Sequence, residues 1–395
     1  MMRALKVTFV LFAGSRLLIF LFLAVGQPDR IHYLDHQFQL ANPVLDRFIY
    51  YDSYNYAQMV SEGYAEDRLA AFFPLFPLLV KGVVDLLGAD VYWAGFVLSN
   101  LFFACSLWLF YRLMDRRGLS ERVKILTLSI LAFFPSSYFF SAFYTESFFL
   151  FLALLAFRLW EGGRRRAAYV VGGLAALTRI VGIWIPLAFF LERMIRRKGD
   201  VRDFAWASAS GLMFSVYPVY LWIAKGDPLL FLKVMAPDYG RHSTIPFFPI
   251  YEDILTFIKQ ARDYGLIEPI IVFHLILFGI FLDYLISTAR RQRKGEDVSW
   301  SEPIYTFGLI LMPLCSVLIQ PVNIPSHGFM RYFLTVFPLF IFLGKRADQV
   351  LTRADRKSLS RCFVVWKGLI YLTLFMWVIL SVYNLLSLRH KGFIA

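Results

Sequence analysis

Asp52, Glu146, Arg179, His327 and Arg331 are the side chains in this sequence best suited to chemistry, and each sits in or beside an apolar run. Asp52 heads "DSYNYAQMVSEGY", where its carboxylate can serve in either of two ways. It can take a proton from a hydroxyl as a general base, or it can cap a helix running to about Glu62 by accepting backbone N–H bonds. The stretch by itself favours the cap. On that helix Tyr56, Val60 and Tyr64 share one face at a spacing of four, which suits a membrane interface. Glu146, in "SAFYTESFF", lies between two apolar runs. An ionisable group there is a functional candidate, with a turn residue reaching water as the alternative. Arg179 interrupts "AALTRIVGIWIP" and needs an anion or a wet cavity. Its partner is either a carboxylate such as Glu146, in a structural ion pair, or a phosphate gripped bidentately. His327 and Arg331, in "IPSHGFMRYFLTVFP", are four apart at a helix start and form a plausible anion clamp. Tyr332 beside them reads as an aromatic-belt residue.

Taken together, these groups can hold a lipid-linked phosphate and deprotonate a hydroxyl. The sequence has no P-loop, GxSxG, HExxH or Rossmann fingerprint, so it gives no support to soluble nucleotide-dependent chemistry. His32, His36 and His242 are too loosely spaced for a metal site. Cys105, Cys315 and Cys362 are isolated in or beside apolar stretches and read as inert thiols. Neither a metal nor an organic cofactor is expected.

The elements that must position these residues are membrane spans. The chain is 58% hydrophobic and only 17% charged, with a mean hydropathy of +0.58, which marks a polytopic membrane protein. The +13 net charge lies in short clusters between apolar runs, so it reflects topology and not nucleic-acid binding. Nine windows are long enough to cross about 30 Å of hydrocarbon: 5–25, 92–112, 123–141, 143–160, 204–224, 266–287, 303–320, 329–344 and 363–387. The first resembles a signal peptide behind Arg3 and Lys6, but Arg16 interrupts it, which favours an uncleaved span.

Basic clusters at 112–124, 164–166, 193–202, 290–294 and 345–361 belong in the cytoplasm by the positive-inside rule, and the N-terminus with them. Residues 167–191 join two such clusters, so they are expected to form a re-entrant pair of half-helices with Arg179 at the tip. Residues 74–88 are expected to lie on the outer surface, with Lys81 and Asp85 paired on one helix face. The outer face then gathers residues 26–70, 141–147, 225–265 and 321–331. The only internal echo is "FPLF" at 73–76 and 337–340, too short to be a repeat. The expectation is one membrane-embedded domain over 1–395, with 26–91 as a first outer loop carrying interfacial helices.

"YYDSYNYAQMVSEGY" followed by "AAFFPLFPLLVK" resembles the WD-x-x-x-(Y/F)…GY…AFFPLxP signature of the PIG-V family, enzymes like the GPI mannosyltransferase that adds the second mannose. "FFPSSYFFSAFYTESFFLFLALLAF", "LAALTRIVGIW" and "HGFMRYFLTVFPLF" resemble later blocks of that family, in the same order. Tyr51 stands where the family has Trp. The resemblance implies an all-α GT-C fold with about nine spans. It also implies a polyprenyl-phosphate-linked sugar donor (classically dolichyl-phosphate mannose) and an inverting transfer in which Asp52 is the base. Glu146, Arg179, His327 and Arg331 are then expected to bind substrate. Short loops suggest a minimal prokaryotic member in the plasma membrane, with a glycolipid or glycan acceptor on the outer face. Two other readings compete: a flippase for polyprenyl-linked lipids, and a non-catalytic assembly partner. Transporters often show paired halves, and none is visible here.

Overall fold

The computed structural model describes residues 2–25, 32–33, 36–37, 45, 48–49, 51–263, 269–318, 326 and 328–356. In chain order the helices are α1 (Met2–Val25), α2 (Asp52–Glu62), α3 (Leu75–Leu87), α4 (Val91–Arg116), α5 (Glu121–Ala132), α6 (Glu146–Glu161), α7 (Arg165–Ala176) and α8 (Trp184–Ile195). They continue with α9 (Val201–Lys225), α10 (Leu230–Lys233), α11 (Met235–Tyr239), α12 (Phe248–Asp263), α13 (Pro269–Arg293), α14 (Ser301–Leu311), α15 (Phe329–Phe333) and α16 (Phe337–Arg356). Two small antiparallel ribbons qualify the all-α expectation. His32–Tyr33 (β1) pairs with His36–Gln37 (β2), and Arg241–Ser243 (β3) pairs with Ser316–Leu318 (β4). One buried apolar cluster runs from Ala4 in α1 to Ile341 in α16.

Four described helices, α1, α4, α9 and α13, are long and apolar enough to cross a membrane. The window 143–160 forms the single 16-residue helix α6, and three others break for local reasons. In 123–141, α5 stops at Ala132, ahead of Pro135, and the chain continues as a 3₁₀ turn, Ser137–Phe140. Proline has no N–H to donate and bars helical backbone in the residue before it. The Arg16 guanidinium accommodates that break by donating to the carbonyls of Ala132 at 3.2 Å and Ser137 at 2.9 Å. In 303–320, α14 ends at Leu311 ahead of Pro313, and the chain then runs extended as β4. The 329–344 window is divided between α15 and α16. The window 363–387 lies outside the described residues.

Ion pairs link the described parts of all five basic clusters at one end of the bundle. Arg117 pairs with Glu161 and Glu302, Arg122 with Asp348, Arg196 with Asp297, and Arg346 with Asp283. Arg165, opening α7, and Arg193, near the end of α8, both reach Asp203, at 3.9 and 2.7 Å. The α7–α8 pair is therefore a helical hairpin with both ends on the basic side. Its break carries Arg179 in extended backbone. Gly182 is what lets the break close. A Cβ there would lie 2.3 Å from the Ala175 carbonyl carbon. On α3, Lys81 and Asp85 pair at 3.2 Å, as their spacing predicts.

Candidate active site

Asp52 is the first residue of α2, and the expected cap is not formed. The helix has no side-chain cap bond, and Tyr51 before it has φ 35°, uncommon for a non-glycine residue. The Asp52 carboxylate instead accepts from Nη1 of Arg331 on α15. Nε of the same guanidinium donates to Oε1 of Glu146, the first residue of α6. That oxygen also accepts from Nη1 of Arg179. Asp52, Arg331, Glu146 and Arg179 thus form one chain of alternating charge, drawn from four separate parts of the sequence.

Exposure separates their roles. Glu146 is 0% exposed, while the side chains of Asp52 and Arg331 are 19% and 20% exposed and that of Arg179 is 12%. A small molecule can reach the aspartate and the guanidiniums, with Glu146 behind them. A desolvated carboxylate is tolerated only when paired, and two arginines supply that pairing. Aromatic faces complete the setting. The Arg331 guanidinium lies 4.6 Å from the centre of the Tyr144 ring and 5.2 Å from that of Phe139, and Arg179 lies 5.1 Å from Tyr332. Tyr332 is therefore a wall of the site.

Thr145, which the sequence reading missed although it adjoins Glu146, accepts from Arg179 Nη1 at 3.2 Å and from the Tyr56 hydroxyl at 3.4 Å. Burial, and next the Asp52 charge, push the Tyr56 phenol up, so it stays a neutral donor. The interfacial face expected for Tyr56, Val60 and Tyr64 is corrected. Tyr56 and Val60 are 4% exposed and belong to the core, and the Tyr56 ring packs against Phe72, Phe76, Phe143 and Tyr144.

These side chains border a cavity of about 190 Å³ lined by, among others, Asp52, Tyr56, Arg179, Arg241, Arg331 and Tyr332. Arg241, the second residue missed, comes from β3, which β4 holds in place with Arg241 opposite Leu318. No local feature of "DYGRHST" marks it out. Its guanidinium donates to Ser316 Oγ at 3.3 Å and lies so close to Gly328 that a Cβ there would be 2.8 Å from Nη2. Gly328, with φ 89°, turns the chain into α15. His327 lies outside the described residues. Among the described residues no group of His, Cys, Asp and Glu is arranged to hold a metal. In this one cavity the part-exposed Asp52 carboxylate can accept a proton, and the guanidiniums of Arg179, Arg241 and Arg331 can bind an anion.

Residues 71–316, more than half of the chain, match the sequence profile of glycosyltransferase family 87, and the protein belongs to that family. It is a glycosyltransferase with membrane-length helices. No curated protein matches the chain. The matched span contains Glu146, Arg179 and Arg241, while Asp52 and Arg331 lie on either side of it.

Proposed function

We propose that the protein transfers a sugar from a polyprenyl-phosphate donor to an acceptor hydroxyl, with inversion at the anomeric carbon. The single observation that carries this is the Asp52–Arg331–Glu146–Arg179 chain on the wall of one cavity. Asp52 takes the acceptor's hydroxyl proton, and the oxygen attacks the anomeric carbon. The bond from that carbon to the phosphate oxygen breaks on the opposite face. The electron pair leaves with the phosphate, now a monoester carrying one more negative charge. Arg179, Arg331 and Arg241 take up that charge where it develops. Glu146, behind them, keeps Arg179 and Arg331 aimed. Neither a metal nor an organic cofactor enters this scheme.

Mannose as the sugar rests on the PIG-V resemblance of the Asp52-to-Pro77 block. The location of the site is argued from the ion pairs at the other end of the bundle. From Glu161 to Glu146 α6 rises about 22 Å at 1.5 Å per residue. With its basic end at the cytoplasmic interface, α6 stops short of crossing roughly 30 Å of hydrocarbon. The cavity is then a recess just below the outer surface, where a lipid phosphate and a water-borne or lipid acceptor meet. The α7–α8 hairpin re-enters from the cytoplasmic side to bring Arg179 there. In a prokaryote the membrane would be the plasma membrane.

The test is the purified protein in lipid nanodiscs, given polyprenyl-phosphate mannose labelled in the sugar and an extract of cellular glycolipids and glycans. Acceptor-dependent release of polyprenyl phosphate, with the new linkage inverted by NMR, is the expected result. Transfer from a nucleotide sugar instead, or movement of the lipid across the bilayer without bond breaking, would replace this reading.

A further inference from the structure

Away from the cavity, three polar side chains are sealed together in the interior. Asp253 of α12 and His274 of α13 are 0% exposed, and Ser326 is 2%. Ser326 Oγ donates to Asp253 Oδ2 and shares a hydrogen bond with His274 Nδ1, while the Ser326 N–H donates to Asp253 Oδ1 at 3.3 Å. The residue types are those of a hydrolase triad, but the order is not. In such a triad histidine stands between serine and aspartate and takes the serine proton. Here serine stands in the middle, and its proton points at the aspartate. The hydroxyl is not activated, and no substrate reaches it.

What the cluster holds is the turn that leads to Arg331. The Ser326 carbonyl accepts the Phe329 N–H at 3.0 Å, and the Gly328 carbonyl accepts those of Arg331 and Tyr332 at 3.0 and 3.2 Å. Phe329 is fully buried, and its ring meets that of His274 edge-on at 5.9 Å. α15 spans only five residues, too short to hold itself as a helix. The register of Arg331 must therefore be imposed from outside. The sequence offers a signal in retrospect, since His274 interrupts the apolar run "IIVFHLILF".

We propose that Asp253 and His274 are positioning residues. Through Ser326 they fix the turn at Gly328 and so aim the Arg331 guanidinium across the cavity. This rests on reading Arg331 as a ligand of the donor phosphate. A displacement of about 1 Å is enough to cost on the order of 100-fold in rate, so a clamp remote from the chemistry controls it.

The test is a double-mutant cycle in the full-length protein, with geranylgeranyl phosphate as the binding probe. Asp253→Asn is expected to raise the Kd about tenfold with the unfolding temperature unchanged, and His274→Gln to do the same. In an Arg331→Lys background the effect of Asp253→Asn shrinks to less than about twofold. Equal losses in both backgrounds, or no loss in the single variant, overturn the proposal. Should Asp253→Asn not fold, Ser326→Ala removes only the hydroxyl and enters the same cycle. Amide hydrogen exchange over residues 329–333 reads the clamp without any ligand. It is expected to speed up in each variant, and unchanged exchange overturns the proposal. A wild-type protein that binds no probe but shows the faster exchange in the variants removes the phosphate reading and keeps the clamp.

Discussion

Arg331 holds the carboxylate of Asp52 in an ion pair through Nη1 while its Nε is bound to Glu146. The proposed base is therefore neutralised by one of the groups proposed to receive the phosphate. A donor phosphate competes with Asp52 for that guanidinium, and a carboxylate released from it is free to turn toward the acceptor hydroxyl. Binding of the donor thus prepares the base, and this ordering can be measured.

Asp52→Asn removes the proton acceptor and also the competitor. Transfer is expected to fall by about 10²–10⁴-fold, the usual worth of a general base, while affinity for polyprenyl phosphate holds or tightens. Turnover assays and equilibrium binding on the same preparation check both. Transfer retained by the asparagine variant removes Asp52 from the mechanism. A weakened Kd instead assigns the carboxylate to donor binding.

Glu146→Ala leaves two guanidiniums facing each other in a desolvated site with no carboxylate between them. Breaking a buried pair in this way destabilises by about 3–5 kcal/mol. Thermal unfolding in detergent is expected to drop sharply. Glu146→Gln, which keeps an acceptor oxygen and the volume, recovers part of the loss. Equal stability of the alanine variant and wild type would show that the two arginines do not need Glu146 as their counter-ion.

Much of this site was legible locally, and the rest needed distance. Arg179 stood out because an arginine beside Gly182 and Pro186 in an apolar run has few explanations, and it does lie in a helix break. Asp52 lines the cavity, but the cap that its local sequence favours is not formed. A capping rule knows only the next few residues, while Arg331 is 279 positions away. Tyr56 and Val60 showed a regular apolar face, yet spacing alone does not say whether that face meets lipid or protein. Hydropathy windows read composition, so they merged α5 with the turn after Pro135 and α14 with a strand after Pro313. Arg241, Asp253 and His274 take their meaning wholly from partners on other elements.

The hairpin that carries Arg179 depends on one missing methyl group. A Cβ on Gly182 would stand 2.3 and 2.4 Å from the carbonyl carbon and oxygen of Ala175, backbone atoms that cannot swing aside. Gly182→Ala is expected to cost about 1–3 kcal/mol as overpacking and to abolish transfer by shifting Arg179. Gly211→Ala, in the interior of α9 with nothing within 4 Å of the added carbon, is the control. It is expected to be neutral or to stabilise by roughly 0.5–1 kcal/mol. A Gly182→Ala protein as stable and active as the control would show that the hairpin opens freely.

The last expectation concerns Arg241, a third guanidinium on the wall of the same cavity. Arg241→Ala is expected to weaken polyprenyl phosphate binding about tenfold, or ~1.4 kcal/mol, and to leave binding of the uncharged polyprenol unchanged. Gly328→Ala should act in the same direction, since its methyl group would press on Nη2 of Arg241 and its φ of 89° disfavours any side chain. Arg241→Lys keeps the charge but loses the fork that grips a phosphate through two N–H groups, so it is expected to fall between wild type and alanine. Equal affinities for phosphate and alcohol in Arg241→Ala and wild type would reduce Arg241 to a tie between β3 and Ser316.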